Sequence, residues 1–229
     1  MDALLLDYNG VVVDDEPLHC VAFRTVLAEE SIALAESLYW TDYVGVDDRA
    51  AFREAFRRAG RLLEPAGVRT LVERKAARYA ALAAGGIALV PGVTSFAREA
   101  ARERPVAVVS GALRSEITAG LRLAGIDGIV ATVIAQEDVA VSKPDPAAYR
   151  LALARLAAAH PAQRWRVCVV EDSLPGLAAA RALGAGCVML TTAHARSALR
   201  AADLVWDSFE GHTSAELEAC WRAVEVPRG

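Results

Sequence analysis

Several things this sequence lacks narrow its options. It has only four cysteines, Cys20, Cys168, Cys187 and Cys220, and no two form a CxxC pair. That spacing argues against a structural zinc site. Cys168 and Cys187 sit in apolar runs and read as core residues. Of the four histidines, His160, His194 and His212 have no ligand-like spacing and read as surface residues. There is no basic excess: 25 Lys and Arg stand against 29 Asp and Glu, a net charge of -4. A nucleic-acid partner is not expected from that balance. Trp40, Trp165, Trp206 and Trp221 are scattered, so no aromatic stacking platform is implied.

The opening Met1-Asp2, with a further acid at Asp7, does not read as a secretory signal. The uncharged stretch from Tyr79 to Ala97 is long enough to span a bilayer. It is broken by Gly85-Gly86 and Pro91-Gly92, which mark a helix end and a turn, so it reads as a domain junction. The expectation is a reduced, cytoplasmic protein with no membrane partner, a monomer or homodimer.

What is present is a large apolar fraction, 54% of the 229 residues, enough for a substantial core. Short apolar runs recur at Ala3–Leu6, Val106–Val109, Ile129–Ile134, Val167–Val170, Cys187–Leu190 and Leu204–Trp206. They are continuous rather than alternating, which suits strands covered on both faces. Helical patterns lie between them at Val93–Arg102, Ser115–Ala124, Pro146–Ala159, Leu174–Leu183 and His194–Ala201. The alternation predicts a doubly wound, parallel, Rossmann-like sheet. Ser173, Pro175 and Gly184 suit the two ends of the Leu174–Leu183 helix. Residues 16–85 carry no strand pattern but read as helices at Leu18–Glu29, Ala50–Ala59 and Leu71–Ala84. The predicted division is an α/β core of residues 1–15 and 86–229 with a helical cap domain of residues 16–85 inserted.

In an open parallel sheet, ligands bind beyond the carboxyl ends of the strands. The residues found there are Asp7-Tyr8-Asn9-Gly10, Ser110-Gly111, Gln136-Glu137-Asp138 followed by Ser142-Lys143-Pro144-Asp145, and Glu171-Asp172-Ser173. Carboxylates gathered on one edge repel unless a cation joins them. Asp7 with Asp172, and Glu171 beside it, would form an oxygen-rich Mg²⁺ site, with Lys143 to neutralise remaining charge.

These four segments, LLLDYNGVVVDDEPLH, VAVVSGA, VSKPDP and VVEDSLPGLAAARALGA, resemble in order and spacing the four motifs of the haloacid dehalogenase superfamily. The helical insertion resembles the cap of the subgroup containing β-phosphoglucomutase and phosphoglycolate phosphatase-like enzymes. The resemblance implies an Mg²⁺-dependent phosphoryl-transfer hydrolase acting on a small phosphorylated metabolite. Asp7 would be the nucleophile that forms an aspartyl-phosphate. Ser110 and the Gly111 N–H would hydrogen-bond the phosphoryl group, and Lys143 would pair with nucleophile and phosphate. Asp7, Asp172, Glu171 and the main-chain carbonyl of Asn9 would hold the metal. In the insertion, His19, Arg49 and Lys75 match positions that face substrate in relatives, and Arg114 in the core would meet a distal anionic group.

One departure matters. Where the family's phosphatases and mutases carry a second Asp, two residues after the nucleophile, this chain has Asn9. An amide has no titrating proton and cannot act as general acid or base. Three readings follow: Asp15 or His19 supplies the proton, the chain is a weakened phosphate-binding or regulatory protein, or Asn9 is an introduced substitution. Asp15 stands where relatives often carry Ser or Thr. A sugar-phosphate mutase is the alternative enzyme reading, and Asn9 counts against it. A dehalogenase needs no metal, and the retained Glu171-Asp172 pair counts against that.

Overall fold

The computed structural model describes residues 1–159 and 164–225; His160 lies outside them. The chain divides into two compact units, Met1–Asp14 with Leu89–Gly229, and Asp15–Ala88. The first is built on strands β1 (Asp2–Leu6), β4 (Val106–Val109), β5 (Val130–Ile134), β6 (Trp165–Glu171), β7 (Gly186–Leu190), β8 (Leu204–Trp206) and β9 (Arg222–Val224). A short ribbon pairs β2 (Val13–Asp14) with β3 (Ala88–Leu89), at the two points where the chain passes between the units.

The main sheet has the order β5-β4-β1-β6-β7-β8, and every neighbouring pair along it is parallel. β1 lies at its centre, with β4 and β5 on one side and β6, β7 and β8 on the other. The strand order therefore reverses at β1, the switch point where such sheets open a crevice. The parallel, doubly wound sheet expected from the continuous apolar runs is thus found. Ala3 to Leu6, Val106 to Val109 and Val167 to Val170 are fully buried, which requires cover on both faces. Part of that cover comes from α7 (Ala147–Ala159) and α8 (Leu174–Leu183), whose Tyr149, Ala152, Leu153, Leu156 and Ala180 pack in one cluster with β1, β4 and β6. The same unit carries α5 (Val93–Ala100) and α6 (Arg114–Leu123).

The α8 boundaries follow from their residues. The Ser173 hydroxyl accepts from the Gly176 N–H 3.1 Å away, satisfying one orphan donor. Gly184 takes the left-handed conformation that ends the helix. Two expectations need correction. β9 is antiparallel to β6, matching Trp165 with Val224, and no strand was anticipated there. The stretch His194–Ala201 is not a helix but contains only the short 3₁₀ turn Arg196–Ala198. Of these residues only Leu199 is buried in the core, so helix propensity has no apolar stripe to hold it in place.

The second unit comprises α1 (Glu16–Glu29), α2 (Glu36–Asp42), α3 (Asp48–Arg58) and α4 (Pro65–Ala83). Its core includes Phe23, Phe52, Tyr39 and Tyr43, with the Phe23 and Phe52 ring centroids 4.7 Å apart. Asp47 caps α3 by accepting from the N–H groups of Arg49 and Ala50. α2 was not anticipated, since only Tyr39 of its seven residues is buried and the periodic signal is weak. No helix of the described residues is long and apolar enough to cross a membrane.

Candidate active site

The backbone of β1 delivers Asp7 to the centre of one sheet edge: its N–H donates to the Val170 carbonyl at 2.9 Å, one residue beyond the last β1–β6 pair. Ser110 follows β4 in the same way, its N–H donating to Ile134 at 3.0 Å. Glu171 is the last residue of β6, and Asp172 begins the turn into α8. Parallel register thus stacks the strand ends side by side.

Asp7, Glu171 and Asp172 are all buried, and each offers a carboxylate oxygen within 4.8 Å of the others. Lys143 Nζ lies 2.9 Å from Asp7 Oδ1 and 2.5 Å from Glu171 Oε1, and also donates to the Val109 carbonyl at 3.1 Å. The contact with the buried Asp7 Oδ1 is an ion pair. Glu171 is the more fully committed carboxylate. Its Oε1 also accepts from the Tyr149 hydroxyl at 2.7 Å, and its Oε2 from the N–H groups of Asp172 and Ser173 and the Ser173 hydroxyl. Gly176 makes this possible, since a Cβ there would lie 1.9 Å from the Glu171 carboxyl carbon.

These contacts set the charge. Burial pushes Asp7 up from 3.8 to about 7, and the charge of Glu171 adds to the rise; Lys143 only partly offsets them. Burial also works against an ionised Glu171, but Lys143 and the Tyr149 hydroxyl bring it below its ordinary value. Burial disfavours the Lys143 cation too, and the two carboxylates overcome that and hold it charged. Lysine and Glu171 therefore form the settled pair, and Asp7 is left short of positive charge. A proton or a cation satisfies it.

That is the property a hard divalent ion would use. Mg²⁺ takes oxygen ligands at ~2.1 Å, so its ligands sit roughly 3–4 Å apart. Asp7 and Asp172 offer carboxylate oxygens within 4.8 Å of each other, and the buried Asp7 Oδ1 has lone pairs to give an ion. Glu171 would remain chiefly the counter-charge to Lys143. The residues present therefore fit an Mg²⁺ site.

Asn9 follows on the loop that carries Asp7. Its Oδ1 lies 3.4 Å from the Ser110 hydroxyl, which also accepts from the Ala112 N–H at 3.1 Å. Gly10 takes a left-handed conformation, and a Cβ there would meet Asp172 Oδ2 at 1.8 Å. Only glycine lets this loop lie against the carboxylate. Gly111 stands beside Ser110 on the turn after β4, and a Cβ built on it would meet open space. Arg114, first residue of α6, is exposed and pairs with Asp138, while its N–H donates to Glu137. It is thereby tied to the loop after β5.

The helical unit holds a polar cluster of its own. Asp15 is fully buried, accepts from the Tyr79 hydroxyl and lies 3.3 Å from His19 Nε2. Lys75 Nζ meets His19 Nδ1 at 2.7 Å and Asp48 Oδ1 at 2.6 Å. An ammonium can only donate, so Nδ1 accepts and Nε2 carries the proton toward Asp15. The His19 ring, stacked on Tyr79 at 4.1 Å, thus has both nitrogens engaged. Arg49 folds back on Asp47, its Nε 3.3 Å from Oδ1.

Tyr149 and Thr192 escaped the sequence reading. Tyr149 was hidden in the apolar pattern of α7. Thr192 stands just beyond the end of β7, where the strand-end rule that found Asp7 also applies. His194, expected at the surface, is half-buried, with Nε2 lacking a hydrogen-bond partner and its pKa lowered by burial.

Comparison with known proteins is consistent with this geometry. The family model for haloacid dehalogenase-like hydrolases matches residues 1–184. Protein CbbY of Cereibacter sphaeroides is 30% identical over 236 residues, covering 91% of this chain and 93% of that protein. Phosphoglycolate phosphatase of Yersinia pestis is 27% identical over 81% of this chain and 78% of its own length. Crystal structures of CbbY from Rhodobacter sphaeroides, one with phosphate and one of a variant with xylulose-(1,5)bisphosphate, match with a TM-score of 0.81 at 29% identity. They cover 94% of this chain and 98% of theirs.

Proposed function

The chain belongs to the haloacid dehalogenase-like hydrolase family, and from that premise we propose that it is an Mg²⁺-dependent phosphatase of a small phosphorylated metabolite, with Asp7 as nucleophile. The observation that carries this reading is the buried group of Asp7, Asp172, Glu171 and Lys143 at the switch point of the sheet. The phosphatase and bisphosphate-bound relatives support the substrate class.

Asp7 attacks phosphorus, its oxygen forming the new P–O bond as the ester P–O bond breaks. Water then attacks the aspartyl-phosphate and releases phosphate and the free carboxylate. Lys143 stays beside the attacking oxygen and offsets charge on the phosphoryl group. The Ser110 hydroxyl and the Gly111 N–H donate to the phosphoryl oxygens, in the manner of electrostatic stabilisation in phosphoryl transfer. Mg²⁺, held by Asp7, the Asn9 main-chain carbonyl and Asp172 with Glu171 behind them, would supply Lewis-acid neutralisation. The Asn9 side chain orients but transfers no proton, so the leaving oxygen departs without general-acid help. Residues 16–85 are the cap in this reading, and Arg114 meets a distal anionic group. The four free cysteines, all buried, suit a reducing cytoplasm.

A panel of phosphomonoesters and sugar bisphosphates, assayed for phosphate release with Mg²⁺ and with excess chelator, tests this. Release that needs the metal and is lost in Asp172→Asn is expected. Release unaffected by chelator would refute the metal-dependent reading.

A further inference from the structure

The geometry points to Thr192 as a positioning residue for the metal site, a role that rests on the Mg²⁺ reading above. Thr192 lies just after β7, outside the four motif segments, and is half-buried. Its hydroxyl donates to the Gly10 carbonyl at 2.7 Å and lies 3.3 Å from Asp172 Oδ2. It therefore bridges two loops beyond the point where the pairing of β1 with β6 ends: the one carrying Asp7, Asn9 and Gly10, and the one carrying Asp172.

The packing around it is close enough for this bridge to matter. A Cβ on Gly10 would lie 1.8 Å from Asp172 Oδ2 and 3.1 Å from Thr192 Oγ1. Carboxylate, hydroxyl and glycine Cα thus fill one small space. A hydroxyl has a single proton. At these distances it goes chiefly to the Gly10 carbonyl, with Asp172 Oδ2 as the weaker second acceptor. The β-branched side chain has few χ1 rotamers, so the hydroxyl oxygen is held in place and its proton turns to the nearer acceptor. Holding the Gly10 carbonyl fixes the Gly10–Val11 peptide, the neighbour of the Asn9–Gly10 peptide whose carbonyl is a proposed ligand, relative to the Asp172 carboxylate. Thr192 thus sets the spacing between ligands on two loops without touching the ion or substrate.

Groups of this kind typically change metal affinity by about 10–100-fold when removed. The test is calorimetric titration of Mg²⁺ into the substrate-free protein, run on the unmodified chain, Thr192→Val, Thr192→Ala, Thr192→Ser and Asp172→Asn, with thermal melts of each in chelator. Thr192→Val and Thr192→Ala are expected to raise the dissociation constant about tenfold or more, Thr192→Ser to stay within about threefold of the unmodified chain because it keeps the hydroxyl, and Asp172→Asn to abolish binding. If Asp172→Asn loses the ion while both hydroxyl-deleting variants bind it normally, the Thr192 role is overturned and the metal reading stands. A lowered melting temperature with an unchanged dissociation constant also overturns it. If the unmodified chain binds no Mg²⁺, the metal reading itself falls.

Discussion

Exchanging Asn9 for Asp is expected to raise the rate of phosphomonoester hydrolysis by about 10²-fold or more, the usual contribution of a positioned general acid. The expectation rests on what the other candidate donors are doing. His19 accepts from Lys75 at one nitrogen and faces Asp15 with the other. Asp15 in turn accepts from Tyr79. These two candidate donors, Asp15 and His19, are thus engaged with one another within the helical unit. Asn9 is also well placed to show the effect, because its Oδ1 lies 3.4 Å from the Ser110 hydroxyl beside the proposed phosphoryl position. The gain should appear in kcat, since an acid acting on the leaving oxygen works in the transition state. A chain already fast with Asn9, unchanged in Asn9→Asp and inactivated in Asp15→Asn, would contradict this and move the proton donor to Asp15.

Asp7→Asn is expected to remove turnover almost entirely, by roughly 10⁴-fold or more, because an amide forms no acyl phosphate. The same change should strengthen the metal-free fold at alkaline pH. Asp7 is raised from 3.8 to about 7 in the folded chain, by burial first and by Glu171 second. A group raised in this way contributes stability that is fully present below its unfolded value and lost as pH rises through the folded one. The metal-free chain should therefore weaken between about pH 4 and 7 on account of this residue. The amide introduced by Asp7→Asn never ionises, so the variant should lack that slope and exceed the unmodified chain at pH 8 by on the order of 2–4 kcal/mol. Thermal melts in chelator at pH 5 and pH 8 check it, with a gain of ~5–10 °C at the higher pH only. Equal melting curves at pH 8 would mean that Asp7 is not short of positive charge.

How much of this was legible in the sequence depends on how local the cause was. The sheet was legible because strands buried on both faces must be apolar throughout, as Val106–Val109 and Val167–Val170 are. The convergence of Asp7, Ser110 and Glu171 followed from one rule about strand ends. The α8 helix was legible to the residue, since Ser173 and Gly184 mark its ends by chemistry of their own. Tyr149 was not legible as a site residue, because its role comes from a hydroxyl 2.7 Å from a carboxylate 22 positions away. The β9 strand pairs antiparallel at the outer end of β6, a relation set by tertiary packing. The committed state of Glu171, which the sequence only marked as a metal ligand, emerges from donors on the turn into α8, on α7 and on the Lys143 loop acting together.

The central claim is that one divalent ion is shared by Asp7 and Asp172. Crystals grown with Mn²⁺ and measured for anomalous scattering address it directly. The account predicts a single strong peak about 2.2 Å from an oxygen of each carboxylate, lost in Asp172→Asn. A peak bound to only one of them, or none in this region at saturating Mn²⁺, would contradict it.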